Sequence, residues 1–323
     1  MFGITTVRAH LALAGASAVL LALAFPRPGW GWLAHVALVP LTLLALRSTA
    51  VRRLAWTSYL VAVIWWLIQL SWLWPVTGGG LVVLCLYLAL YWPAIVLTLR
   101  LLDRRYQPVM VLTLPMVWVS FELLRGYALA GGFGWFALGH SQAPYSPSPS
   151  ASAAPGIVLI QVADLFGEHA VSFLVAMTNG LIVDLLTRPW VKPARSGRRR
   201  MSRTIRAAIF LWLLLYVGAG IYGIWRVRQT DQVRTPGLRL AVIQTNVPQS
   251  NKLHRTPEQD AHDCQRMIDL TRRAMAVEHT PDLIVWPETM VPVGLNQDAW
   301  NYFQEMRWSG ATRYREEIGA LAR

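Results

Sequence analysis

The chain has 323 residues, 54% of them hydrophobic and only 15% charged, with sixteen tryptophans and a formal net charge of +13. A soluble domain carries about 25% charged residues, so this composition excludes an ordinary soluble globular protein and points to many membrane spans. On a soluble chain the positive charge would point to nucleic acid; here the arginines and lysines fall between apolar runs, so a membrane is the expected partner and nucleic acid is not.

Seven apolar runs follow in order: Ala9–Phe25, Trp30–Leu46, Leu54–Trp74, Leu81–Leu102, Pro108–Leu124, Leu165–Leu186 and Ala207–Ile224. Each is near the ~20 residues that cross a bilayer. Met1–Phe25, with Arg8 ahead of its apolar run, has the look of a signal peptide, but the runs behind it favour a retained first span. Pro26-Arg27-Pro28-Gly29 ends the first run, and Pro75 with Gly78-Gly79-Gly80 ends the third. Basic loops follow runs two (Arg47, Arg52, Arg53), four (Arg104, Arg105) and six (Arg188 to Arg206). That alternation predicts a cytoplasmic N-terminus and places everything after Ile224 outside. Arg226, Arg228, Arg234 and Arg239 then lie outside against the rule, which long translocated domains tolerate. Ala143–Pro155 is Pro/Ser/Ala-rich and reads as a flexible loop. Gly218, Gly220 and Gly223 suit close helix packing. Trp30, Trp32, Trp65, Trp66, Trp72 and Trp74 read as interfacial anchors.

From Val233 the composition becomes that of a soluble α/β domain, which divides the chain into a membrane domain, 1–232, and an outer domain, 233–323. Leu238–Thr245 reads as a strand. Thr256-Pro257-Glu258-Gln259 starts a helix, with Thr as N-cap, Pro first and Gln three past the cap. That helix runs to about Val277, with Ala261, Cys264, Ile268 and Met275 near one face. Leu283–Trp286 is a second strand, so the unit is β-α-β and its strands are parallel neighbours. Gly310–Arg323 looks like a further helix.

Pro287 ends strand pairing, since it has no N–H to give, and Glu288 follows it at a strand end, where α/β folds gather their chemistry. Such a carboxylate caps a turn, pairs with an arginine or, in a cleft shielded from water, acts as a general base toward a thiol. Glu122 and Arg125, three apart at the end of the fifth run, can pair on one helix face and are functional candidates at a membrane boundary. His140 reads as a packed or interfacial histidine and Lys252 as a surface lysine. Cys85 and Cys264 read as structural, in different compartments, with no disulfide, metal or cofactor expected.

Several motifs together resemble a known family. Leu238–Gln249 (LRLAVIQTNVPQ), a helix, then Leu283–Pro292 (LIVWPETMVP) are similar to the opening of a nitrilase-type (carbon–nitrogen hydrolase) domain. Preceded by about seven spans, they resemble the bacterial apolipoprotein N-acyltransferases. Glu122-Leu123-Leu124-Arg125-Gly126, Gly132-Phe133-Gly134-Trp135, Leu138-Gly139 and Ser141-Gln142 resemble that family's loop after the fifth span. Phe25-Pro26 with Gly29-Trp30 resembles its first outer turn, and Asn246-Val247-Pro248-Gln249 with Lys252 the start of its outer domain. The resemblance implies a polytopic α-helical membrane domain followed by part of an αββα nitrilase-like sandwich, in a bacterial inner membrane with that domain periplasmic. It implies acyl transfer from a phospholipid donor to the amine of a diacylglyceryl-cysteine lipoprotein through a thioester, by a Glu–Lys–Cys triad. Glu288 matches the family's glutamate. The family's lysine and cysteine lie further on than residue 323, so the expectation is an N-terminal fragment, inactive alone, with a second chain as a partner that could carry the rest. The rival expectation is a non-catalytic membrane protein that binds lipid or lipoprotein through a decayed outer domain.

Overall fold

The structure is a computed structural model of the chain. It describes residues 4–26, 28–128, 132–143, 155–189, 191–193, 199–233, 235, 237–247, 256–277, 280–287, 316 and 318–320. Two compact units divide it, residues 1–233 and 234–323.

In the first unit α1 spans Val7–Ala24. The Thr6 hydroxyl caps it by accepting the Ala9 N–H at 3.2 Å, satisfying one donor that the first helical turn leaves open. The second apolar run departs from the expected continuous span. It breaks into a 3₁₀ turn at Gly31–Leu33, a short helix at Ala34–Ala37 and α2 at Val39–Arg47. Pro40 is the cause, because it has no N–H and its ring crowds the carbonyl four residues back. Asn179 repairs the break. Its Nδ2 donates to the Ala34 carbonyl and its Oδ1 accepts the Leu38 N–H, both at 2.8 Å.

Helix α3 is Val51–Gln69, so the third run stops before Trp74, and Pro75 sits in the first turn of a short helix, Trp74–Thr77, rather than ending one. Helices α4 (Gly79–Ala89) and α5 (Tyr91–Tyr106) together cover one 28-residue apolar stretch. Helix α6, Met110–Leu123, has 14 residues and passes directly into a π-helical turn, Leu124–Ala128. Helices α7 (Glu168–Thr187) and α8 (Arg203–Val233) complete the unit. Among the described residues five helical segments are long and apolar enough to cross a membrane. Runs two and five, counted as spans from the sequence, form shorter helices. The basic loop after α7 contains an antiparallel pair that the sequence does not announce, β1 (Val191–Pro193) with β2 (Arg199–Met201). The Pro/Ser/Ala-rich stretch lies almost entirely outside the described residues.

Helices α6 and α7 pack most closely. A Cβ on Gly180 would sit 2.1 Å from the Met110 carbonyl oxygen, so only glycine permits this approach. Asp184 of α7 acts as a cap in trans. Its Oδ2 accepts the Val111 N–H at 2.9 Å at the start of α6, while its Oδ1 accepts from Arg188 Nε at 2.6 Å. The anion thus meets the positive end of one helix dipole and a cation at once. The tryptophans divide. Trp30, Trp32, Trp72 and Trp74 are exposed, as interfacial residues are, but Trp65 and Trp66 are buried in the aromatic core with Phe25, Phe136 and Trp92. Of the three α8 glycines only Gly223 makes a close contact, against Val158; Gly218 and Gly220 face open space.

The second unit contains β3 (Leu240–Val242), α9 (Pro257–Met275) and β4 (Leu283–Val285). The strands are parallel neighbours, with Leu240 opposite Leu283 and Val242 opposite Val285, as the β-α-β pattern requires. The α9 start is the expected capping box between Thr256 and Gln259. Its buried stripe is Cys264, Met267, Ile268 and Thr271; Met275 follows on the same face but is exposed at the helix end. Ile243, Ile284 and Trp286 pack with Met267 and Leu270 of that helix. The opposite sheet face presents Leu240, Val242, Leu283 and Val285, all exposed. Of the further helix expected at 310–323, only residues 316 and 318–320 are described, and these are helical.

Candidate functional site

In the first unit, the end of α6 meets the start of α7 in a cluster of ionisable side chains. Glu122 is buried on the last turn of α6. Its Oε1 accepts from Trp118 Nε1 and from the Leu138 backbone N–H, both at 2.7 Å. Its Oε2 has no hydrogen-bond partner and lies 3.6 Å from His169 Nδ1. On the far side of that imidazole, Nε2 is 3.9 Å from Glu168 Oε1, and neither ring nitrogen has a hydrogen-bond partner. Glu168 in turn pairs with His140. An acid–base series, Glu122, His169, Glu168 and His140, therefore runs from the interior to the half-exposed surface.

Arg125 does not pair directly with Glu122, contrary to the expectation from their spacing. The π-helical turn that begins at Leu124 re-aims it, and its buried guanidinium lies over the Trp66 ring, 5.3 Å from the centroid. Both residues line a cavity of about 40 Å³ walled by Phe25, Trp65, Trp66 and Phe136. The loop after the π turn is fastened to this cluster. Phe133 N–H donates to the Arg125 carbonyl and Gly139 N–H to Ser172 Oγ, both at 2.8 Å; Gln142 Nε2 donates to the Gly31 carbonyl, also at 2.8 Å. Phe136 takes a positive φ of 61°, which turns its ring into the core. Trp135 beside it stays exposed, its ring 5.5 Å from that of Trp72 and tilted 48° to it.

In the second unit the strand end is built as the sequence suggested up to Pro287. Strand β4 stops at Val285, and Trp286 Nε1 donates to Thr271 Oγ1 at 2.9 Å, holding the chain against α9. Glu288, the next residue but one, lies outside the described residues, as does Lys252. Cys85 is buried among the membrane helices and Cys264 on the α9 core stripe, where each acts as a small apolar residue. His140 is half-buried, with Nε2 against the Glu168 carboxylate. His169 and Glu168 were missed in the sequence. An adjacent acid and imidazole opening an apolar helix was the available signal.

The family model described as the apolipoprotein N-acyltransferase N-terminal domain matches residues 17–181. Relatives with the name apolipoprotein N-acyltransferase include one from Geobacter metallireducens, 30% identical over 95% of this chain and 54% of its own length. One from Pseudomonas putida is 29% identical over 94% of this chain and 56% of its own length, and one from Methylococcus capsulatus 31% identical over 59% and 31%. The chain thus spans about half the length of the relatives that it matches from end to end. With the family model covering half of the sequence, including the whole Glu122–Leu138 loop and the start of α7, the chain belongs to the apolipoprotein N-acyltransferase family through its N-terminal domain.

Proposed function

We propose that this chain supplies the membrane domain and the first part of the catalytic domain of an apolipoprotein N-acyltransferase in a bacterial inner membrane. In this reading an acyl chain passes from a phospholipid to an enzyme thiol, then to the free amine of a diacylglyceryl-cysteine lipoprotein. Glu288 is the general base for the thiol. The lysine and cysteine of the triad come from polypeptide following residue 323, in the same chain or a second one. In this reading the N-terminus is cytoplasmic and the second unit periplasmic, a topology supported by the alternation of basic loops along the sequence.

The family match over residues 17–181 carries this reading. The second unit supports it in a physical way. A parallel sheet is stable when both faces are covered, yet here one face packs on α9 while Leu240, Val242, Leu283 and Val285 are exposed. A free apolar face of this kind supports the αββα reading, in which a second sheet would cover it.

The test is acyl transfer to a diacylglyceryl peptide by this chain supplied with the following polypeptide of a family member. Glu288→Gln should lower the rate by about 10²–10⁴-fold, the range for a positioned general base. Undiminished transfer by that variant would remove Glu288 from the mechanism.

A further inference from the structure

A groove of about 590 Å³ lies between α7 and α8, with its ends formed by Leu165, Phe166 and Val119. That volume is in the range of small-molecule sites, about 300–1,000 Å³. Apart from His169 and Tyr222 its walls are entirely aliphatic, aromatic or glycine. The two polar residues share one end. The Tyr222 hydroxyl donates to Asp164, which also accepts from Arg226 Nε at 2.8 Å, and Asp164 sits one turn ahead of Glu168 and His169. From Tyr222 the groove descends along α8 to Leu214, a rise of about 12 Å at 1.5 Å per residue. Every charge near it is therefore at one end, and its body is uncharged.

Two more features bear on the occupant. Helix α8 is the least buried of the candidate spans, and Phe210, Val217 and Ile221 continue the apolar surface on which the groove opens. Gly218 lines the groove, and a Cβ there would meet nothing within 4 Å. The space is thus real and reaches the backbone. His169 lines the polar end of the wall, with both ring nitrogens buried between Glu122 and Glu168.

We infer that this groove is a binding site for one glycerolipid, with an acyl chain lying between α7 and α8 and the ester region beside His169. The match is one of charge pattern, a polar end and an uncharged body against an amphiphile of the same build. It is also one of continuity, because the groove opens on the exposed apolar face that carries Phe210, Val217 and Ile221. A second copy of the chain or a partner helix would meet a slot with its charges gathered at one end and already paired across Asp164 and Arg226. The site does not depend on the acyl-transfer reading, since it holds a lipid whether or not that lipid reacts.

The experiment uses the full chain in phosphatidylcholine nanodiscs that contain a phosphatidylcholine with a diazirine in mid-chain. After photolysis, labelled residues are mapped by mass spectrometry. Labelling should concentrate on Phe173, Leu174, Leu214 and Leu215 over the bilayer-facing Phe210. Gly218→Phe, which fills the groove, should reduce that labelling about tenfold and leave Phe210 unchanged. Gly220→Phe, on the same helix with equally open space but outside the groove, should change neither. If Gly218→Phe does not fold, Leu215→Trp gives the same obstruction from an adjacent position. Groove labelling no stronger than at Phe210, or unaltered by either filling variant, would overturn the site.

Discussion

Glu122 and Leu138, sixteen residues apart, are joined by a 2.7 Å hydrogen bond from the Leu138 N–H to the Glu122 carboxylate. That bond ties the loop after the fifth apolar run to the helix before it, through a buried anion that also holds Trp118. The second carboxylate oxygen faces His169 Nδ1 at 3.6 Å.

The first prediction follows. Glu122→Ala leaves the Leu138 N–H and Trp118 Nε1 buried without an acceptor, each costing about 1–3 kcal/mol. Glu122→Gln keeps one acceptor oxygen and should cost less than half as much. Thermal unfolding of both variants in detergent, followed by tryptophan fluorescence, checks the order. Equal losses would mean that the charge and not the acceptor matters.

Gly180→Ala should be among the most damaging single methyl additions in the membrane unit. Its Cβ meets the Met110 carbonyl at 2.1 Å, backbone that cannot swing aside. Overpacking of this kind costs about 1–3 kcal/mol. Gly220→Ala, with open space around it, should instead be neutral or stabilise by up to about 1 kcal/mol through helix propensity. Unfolding midpoints that move in opposite directions are the expected outcome.

Asp184→Ala removes a fully buried carboxylate that serves Val111 and Arg188 together. The buried Val111 N–H left without an acceptor costs about 1–3 kcal/mol, while the partly exposed Arg188 keeps the Gln107 and Pro108 carbonyls as acceptors. Asp184→Asn should recover the Val111 bond and part of that loss. Hydrogen exchange at the Val111 amide reports the cap directly and should speed up in the alanine variant only.

Asp164 supplies a pH prediction. The Tyr222 hydroxyl, and then Arg226, hold its carboxyl below the ordinary carboxylate value of about 3.9. A depressed folded-state pKa means that the contact is fully stabilising above the ordinary carboxylate range and is lost as pH falls through the lowered value. Tyr222→Phe removes the larger influence, so the Asp164 titration should move up toward its usual position. A carboxyl carbon NMR titration of the two proteins decides this; identical midpoints would discount the bond.

Much of the local structure was written in the sequence. Thr256-Pro257 with Gln259 produced the α9 start residue by residue, because a capping box is a local arrangement within one turn. The parallel pairing of Leu240–Val242 with Leu283–Val285 followed from two apolar strands separated by one helix, for which the right-handed crossover leaves few alternatives. The apolar runs announced membrane helices because hydrocarbon demands about twenty apolar residues whatever the tertiary fold.

Other features were decided only when distant segments met. The second run reads as one continuous span, yet it breaks at Pro40, and Asn179, far along the chain, satisfies the backbone groups that the break exposes. The spacing of Glu122 and Arg125 suggested a pair. A π turn and the incoming Leu138 amide gave each a different partner, which helical periodicity cannot anticipate. Trp65 and Trp66 have the composition of interfacial anchors, yet they lie in the core because Phe25 and Phe136 close over them. By itself the sequence determined which segments are helical, where the apolar ones lie and which family they belong to, since propensity, hydropathy and motif are properties of neighbours. The tertiary structure alone decided which buried polar atom meets which, because every such group out of water must find a partner and the nearest candidate in space is rarely the nearest in sequence.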